Sequence, residues 1–211
     1  LLGGEALPLG VLKQVQALVR GEIYNMYGPT ETTIWSTMQQ MEPKTTRVVI
    51  GRPLANTRTY LLDGQGQLVP LGVAGEVFIG GMGVVRGYLS QPALTAERFV
   101  PDRWSGEAGA RLYRTGDIAR YRSDGSLEYL GRMDQQVKIR GYRIEMGEIE
   151  AVLAAYPGGV QECVVVARED REGDQRLVAY LVEKPGAAII VNDLRSWLQK
   201  HVPIVMLPSA F

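Results

Sequence analysis

The hydrophobic periodicity of the chain changes near residue 133, and the change divides what can fold on either side of it. Between Val48 and Leu130 apolar residues come in short runs broken by turn formers. Thr57–Leu62, the turn Asp63-Gly64-Gln65-Gly66 and Gln67–Pro70 predict a hairpin. Gly75–Gly80 predicts a buried strand, and Asp117–Arg122, Ser123-Asp124-Gly125 and Ser126–Leu130 predict strand, turn and strand. Thr95–Phe99 predicts a helical turn that Thr95 caps. Upstream, Leu9, Leu12, Val15, Gln16 and Val19 recur at helical spacing after Pro8, and Glu22–Tyr27 predicts a strand running into Gly28-Pro29.

Past the boundary the pattern is strand–helix–strand–strand–helix. Residues 131–145 begin as a turn and become a strand with Val137 and Ile139 on one face. Glu148–Tyr156 carries Ile149, Val152, Leu153 and Tyr156 on one side. Val160–Arg168 and Arg176–Val182 are β runs joined by the charged turn Glu169–Gln175. Val191–His201 lines up Leu194, Trp197, Leu198 and His201, which marks His201 as a packing residue. The expected domains are 1–133 and 134–211.

Composition removes several classes of function. Lys plus Arg and Asp plus Glu are each 23, so there is no basic excess for nucleic acid or an anionic membrane. No apolar run approaches the roughly 20 residues of a membrane span. The lone Cys163 excludes an internal disulfide, lies in a Val-rich strand as a buried thiol, and fits a reducing, cytoplasmic setting. No Ser-His-Asp arrangement and no metal spacing of His and Cys occurs. Glycine is 25 of 211, which calls for many tight turns or close backbone approaches. The opening LLGGEALP lacks the features of a signal peptide, and the chain reads as a piece of something longer.

Four stretches could carry chemistry. In Asn25–Glu31, NMYGPTE, a strand ends in an aromatic at a sharp turn that presents a hydroxyl beside a carboxylate. Tyr27 offers a face for a base, Thr30 a donor for a phosphate oxygen, and Glu31 a hard oxygen ligand for Mg²⁺. The same residues also suit a turn followed by a helix cap. In Tyr113–Asp117, YRTGD, a carboxylate beside a glycine turn could accept hydrogen bonds from a ribose diol, or simply satisfy its own backbone. Gly75–Leu89, GEVFIGGMGVVRGYL, lacks the Lys-Ser/Thr ending of a phosphate loop and reads as a strand plus a turn. Gly131–Glu150, GRMDQQVKIRGYRIEMGEIE, is dense in charge, and its alternation also suits a solvated strand.

In this order and spacing the four stretches resemble the adenylation domain of a nonribosomal peptide synthetase, within the adenylate-forming enzymes that include acyl-CoA synthetases and luciferases. DQQVKIRGYRIE resembles the peptide-synthetase branch in particular. The resemblance implies a mixed α/β fold: the C-terminal half of a large subdomain, with the end of a sheet and a distorted β-barrel, followed by a small α+β lid. It implies two steps, formation of an aminoacyl adenylate from ATP and transfer of the acyl group to the phosphopantetheine thiol of a peptidyl carrier domain. It places ATP on Asn25, Tyr27, Gly28, Thr30, Asp117 and Arg132, with Tyr27 stacking on adenine and Asp117 binding the ribose. It gives Thr30 and Glu31 catalytic roles, Glu31 as the Mg²⁺ ligand, and makes Asp134 a hinge. Lys138, Arg140, Gly141 and Tyr142 would form the loop that faces the active site in the thioester-forming state. The amino-acid pocket would be Leu1, Gly3, Met26, Ile34 and Trp35. Trp35 and Met26 fill it, Leu1 and Ile34 offer nothing polar, and the expected substrate is glycine, then alanine.

The resemblance also implies absences. An N-terminal part of the same domain, with its phosphate loop and the aspartate that pairs with the substrate amine, would lie upstream, and a catalytic lysine beyond Phe211. The 211 residues alone are therefore expected to be inactive. Two alternatives remain open on the residues: an acyl-CoA ligase of the same superfamily, and a non-catalytic binding module.

Overall fold

The protein is described here from a computed structural model covering residues 1–133, 136–139, 141–171 and 174–211, with backbone alone at 138, 143, 170, 171 and 174. Asp134 and Arg140 lie outside the described residues, as does the Lys138 side chain. The chain divides into two compact units, Leu1–Asp134 and Gln135–Phe211.

The first unit begins with β1 (Leu2–Gly3), α1 (Leu9–Leu18), β2 (Tyr24–Tyr27), β3 (Thr37–Gln40) and β4 (Arg52–Pro53). These strands form a sheet in that order, β1 parallel to β2 and the other pairs antiparallel. The apolar stripe of α1 seats Leu12 fully buried against Ile23 and Met41, with Leu9 and Val15 beside it. Pro8 precedes the helix with an extended backbone, as its fixed φ allows. A second, antiparallel sheet contains β5 (Thr57–Leu62), β6 (Gly75–Gly81), β7 (Phe99–Pro101), β8 (Arg111–Tyr121) and β9 (Leu127–Arg132), with α2 (Pro92–Arg98) between β6 and β7. Its order is β5-β6-β8-β7, and β9 pairs with β8. The Ile50 N–H donates to the Leu127 carbonyl and the Leu127 N–H to the Gly51 carbonyl, which binds the chain after β3 to β9. Ile50, Leu61, Val77, Ile79, Ala119 and Leu127 form the core beneath this sheet.

Three expectations are corrected. The return strand Gln67–Pro70 is a single bridge, Leu62 to Leu68. The Asp63 carboxylate takes the N–H groups of Gln65 and Gln67, and Pro70 has none to give. The helix expected at Thr95 begins at Pro92, in the first-turn position that proline favours. Thr95 Oγ1 accepts the N–H of Tyr88 rather than capping the helix. The strand expected from Asp117 begins at Arg111, so YRTGD lies inside β8.

Glu128 on β9, 14% exposed, accepts Arg120 Nε at 3.0 Å and has Arg47 and Arg122 at 3.4 and 3.6 Å. The hydrogen bond from Arg120 leads in holding its carboxyl below the usual range. A depressed pKa gives stability that is complete above the unfolded value and is lost as pH falls through the folded one. Glu128→Gln will therefore lower stability by about 1 kcal/mol at neutral pH. Urea midpoints will converge with those of the unsubstituted protein below about pH 4.

The second unit comprises the hairpin β10 (Val137–Ile139) and β11 (Tyr142–Ile144), α3 (Met146–Ala154), β12 (Val160–Arg171), β13 (Asp174–Glu183) and α4 (Val191–His201). α3 packs on β12 and α4 packs on α3, and their common core buries Ile149 and Leu153 of α3, Leu194 and Leu198 of α4, and Val165, Leu177 and Ala179. The charged segment expected as a turn extends the two strands, to Arg171 and from Asp174. Cys163 is half-buried, with burial raising its thiol pKa, and His201 is exposed while stacking on Trp197 at 4.0 Å. Among the described residues no helix is long and apolar enough to cross a membrane.

Candidate nucleotide site

The site begins where β2 ends. Tyr27 closes the strand, and its carbonyl accepts the N–H of Ser36 at 2.8 Å, which folds the chain back on itself. Gly28 permits that return, because a Cβ there would stand 2.4 Å from the Ile34 carbonyl oxygen and 2.7 Å from the Ser36 nitrogen. Thr30–Thr32 forms one turn of 3₁₀ helix after Pro29. No side chain caps it and Thr30 is exposed, so Thr30 is not the cap of the alternative reading, while Glu31 does stand in the first turn. Thr32 Oγ1 bonds Ser36 Oγ at 2.6 Å and the Pro29 carbonyl at 3.2 Å. Thr33 and Ile34 then take φ of +62° and +73°. A β-branched residue in that region is strained, and such strain persists only where surrounding contacts impose it.

Asp117 reaches the same place from β8. Gly116, at φ +76°, sits in the strand interior, where the pairing with β6 slips: Glu76 faces Ile118 while Phe78 faces Arg114, so β8 carries extra residues there. The glycine expected in a turn is thus part of a bulge, which re-aims the residue after it. The buried Glu76 carboxylate accepts the Gly116 N–H at 3.1 Å and Arg114 Nε at 3.0 Å. Thr115 Oγ1 donates to the Val77 carbonyl and accepts the Asp117 N–H. Thus held, Asp117 accepts Tyr27 Oη on Oδ2 at 2.5 Å and Arg132 Nη1 on Oδ1 at 2.8 Å. The Asp117 and Arg132 side chains are 9% and 12% exposed. Burial, then the Asp117 charge, raises the Tyr27 phenol well above its ordinary pKa, so it stays a donor.

Glu31 is 6% exposed, and its Oε1 accepts Tyr88 Oη at 2.7 Å. Burial raises the Tyr88 pKa, with Tyr113 and Glu31 adding to the shift. A single oxygen ligand suits Mg²⁺, which takes one or two carboxylates and completes its shell with phosphate and water. Among the described residues no cluster of three His, Cys, Asp or Glu offers a protein cage for an ion. Asn25 is buried with its amide donated to the Val49 carbonyl at 2.8 Å, a link between β2 and the segment before Ile50.

Of the expected pocket residues, three meet. Gly3 pairs with Met26 across β1 and β2, and a Cβ on Gly3 would lie 2.6 Å from the Met26 carbonyl oxygen and 2.7 Å from the Trp35 ring. Leu1 and Ile34 are 80% and 61% exposed. In the second unit Gly141, at φ +78°, turns the β10–β11 hairpin and Tyr142 is exposed. Two open concavities of about 360 and 370 Å³ are lined by other residues, around Arg52 and around Arg58, and neither includes Tyr27, Glu31 or Asp117. Sequence reasoning missed Glu76, Thr115 and Tyr88. All three lie inside stretches that the sequence singles out, Thr115 in YRTGD and Glu76 and Tyr88 in GEVFIGGMGVVRGYL, but nothing local assigns them a role.

The AMP-binding enzyme family matches residues 1–89, and the C-terminal domain family of AMP-binding enzymes matches residues 148–211. A dimodular nonribosomal peptide synthase of Bacillus subtilis is 53% identical over the whole chain, which spans 9% of that protein's length. The solved structure of PA1221, a nonribosomal peptide synthetase protein containing adenylation and PCP domains, superimposes at a TM-score of 0.82 with 31% identity, over 99% of this chain and 41% of that one. The Vibrio cholerae adenylation domain AlmE, solved with glycyl-adenosine-5'-phosphate, gives 0.86 and 28% over 99% and 40%. The chain belongs to the AMP-binding enzymes, on the branch of nonribosomal peptide synthetase adenylation domains.

Proposed function

We propose that this chain is part of a domain that activates an amino acid with ATP and delivers it to a carrier domain. The observation that carries the reading is the convergence of Tyr27, Asp117 and Arg132, 90 residues apart in sequence at the Tyr27–Asp117 bond, beside the turn that presents Thr30 and Glu31. Such a site binds and orients. Asp117 accepts the ribose hydroxyls, its carboxylate held in place by Arg132 and Tyr27. The Tyr27 ring faces the adenine, and the exposed Thr30 hydroxyl donates to a phosphate oxygen. Glu31 would hold Mg²⁺, which when bound neutralises phosphate oxygens. The amino-acid carboxylate then attacks the α-phosphorus, the bond to the β-phosphate oxygen breaks, and pyrophosphate leaves. In the second step a thiolate of the carrier's phosphopantetheine attacks the acyl carbon, and AMP leaves. Both steps depend on positioning and charge neutralisation rather than on a protein nucleophile. The carrier as partner is supported by the likeness to PA1221, which contains a PCP domain.

Glycine is the proposed substrate, with alanine second. The support is that Met26 and the Trp35 ring close on Gly3, two large side chains and a glycine at the expected pocket, and the likeness to AlmE, which was solved with a glycyl adenylate. Pyrophosphate exchange by the intact enzyme will run fastest with glycine and about ten- to a hundredfold slower with alanine. Fastest exchange with a bulky or charged amino acid would overturn the specificity. Fastest turnover of a carboxylic acid onto free CoA would instead establish the acyl-CoA ligase alternative.

A further inference from the structure

Glu31 sits on a single turn of 3₁₀ helix, too short to fix a long side chain by its own packing. A free glutamate side chain would lose rotamer entropy on being ordered. A second segment supplies that order. The Gly83 carbonyl accepts Thr33 Oγ1 at 2.7 Å, and the Val85 N–H donates to the Glu31 carbonyl at 3.0 Å. Tyr88 Oη donates to Glu31 Oε1 at 2.7 Å. The backbones touch so closely that a Cβ on Gly83 would lie 2.7 Å from the Thr32 carbonyl oxygen.

This strap is itself anchored at both ends. Arg111 donates to the carbonyls of Val85 and Arg86, each at 2.9 Å. Tyr88 donates its N–H to Thr95 Oγ1 at 2.9 Å, and its ring meets Phe99 edge-on at 5.5 Å. Phe99 packs on the fully buried Tyr113 at 5.2 Å. Gly87, at φ +141°, brings the chain so near the helix α2 that a Cβ would stand 2.3 Å from Thr95 Cγ2.

From this geometry we infer that Tyr88 is a positioning residue, whose hydroxyl fixes the Glu31 carboxylate in the orientation that receives the metal of Mg·ATP. The inference rests on the proposed role of Glu31. Tyr88→Phe keeps the ring and its packing and removes only the hydroxyl. Partners that orient a metal ligand typically account for ten- to a hundredfold in metal affinity.

The test uses the intact enzyme and calorimetric titration of ATP with and without Mg²⁺. In Tyr88→Phe the metal-free affinity will be unchanged, while the gain that Mg²⁺ brings will shrink by about tenfold. The Mg²⁺ concentration for half-maximal pyrophosphate exchange will rise, with the KM for the amino acid unmoved. Thr95→Val, which removes the acceptor for the Tyr88 N–H, will act in the same direction more weakly. Glu31→Gln will abolish the metal's gain, and adding Tyr88→Phe to it will change nothing further. If Tyr88→Phe keeps the full gain while Glu31→Gln loses it, or weakens ATP equally with and without Mg²⁺, Tyr88 merely packs and the inference fails. If Glu31→Gln keeps the gain, the underlying reading of Glu31 fails, and this one with it.

Discussion

Asp117→Ala in the intact enzyme will lower kcat/KM for ATP by about a thousandfold, with the KM for the amino acid little changed. Two hydrogen bonds from a ribose diol to a carboxylate are worth about 1.5–3 kcal/mol each. At about 1.4 kcal/mol per factor of ten, their joint loss spans roughly two to four orders of magnitude. The carboxylate also organises its neighbours, since Tyr27 Oη at 2.5 Å and Arg132 Nη1 at 2.8 Å both donate to it. Without it the Arg132 side chain, 12% exposed, keeps the Thr115 carbonyl but loses the Asp117 carboxylate at 2.8 Å. Removing one partner of a buried ion pair costs about 3–5 kcal/mol, so the variant will also melt at a distinctly lower temperature.

Asp117→Asn separates the two effects. The amide keeps the shape, its oxygen still accepts Arg132, and its NH₂ can donate to the Tyr27 hydroxyl oxygen, so what is lost is the charge and one acceptor. It will fold better than the alanine variant and bind ATP almost as poorly. Titrating ATP in the exchange assay and comparing thermal midpoints checks both. An alanine variant with an unchanged KM for ATP would show that Asp117 serves only the bulge of β8 and its ion pair.

The parts of the fold written in short-range pattern were legible. The stripe of α4 gave Leu194 and Leu198, the stripe of α3 gave Ile149 and Leu153, and all four are fully buried. The turn grammar located β5, β6 and the hairpin of β8 and β9. What failed was set by partners distant in sequence. Gly116 looks like a turn glycine, yet β6 on one edge and β7 and β9 on the other hold β8 extended through it, and the positive φ becomes a bulge. Thr95 looks like a cap, yet Pro92 starts the helix a turn earlier and Tyr88 takes the hydroxyl. Of the site, Tyr27, Glu31 and Asp117 were legible because their spacing resembles a family. Glu76, which holds the bulge from 40 residues away, and Tyr88, which holds Glu31 from 57, have no periodicity to announce them.

Gly28→Ala will damage the site as severely as Asp117→Ala, for a steric reason. Gly28 has no unusual φ, so the cost is one of space rather than of handedness. The methyl would lie 2.4 Å from the Ile34 carbonyl oxygen and 2.7 Å from the Ser36 nitrogen. Both are backbone atoms, and neither can swing aside as a side chain would. To admit the methyl, residues 34–36 must move away, which breaks the Ser36 N–H bond to the Tyr27 carbonyl. That bond and the Thr32–Ser36 hydroxyl pair hold the turn carrying Thr30 and Glu31, so ATP binding is lost along with stability. Overpacking costs about 1–3 kcal/mol where neighbours can relax, and a backbone wall puts this variant at or beyond the upper end. Gly64 is the matched control: its φ is also ordinary, it lies in the turn after β5, and nothing stands within 4 Å of its would-be Cβ. Gly64→Ala will change stability by no more than about 0.5 kcal/mol and leave ATP binding intact. Chemical denaturation and ATP titration of the two variants side by side give the result, and equal behaviour would mean that the chain does not double back at Gly28 as closely as described.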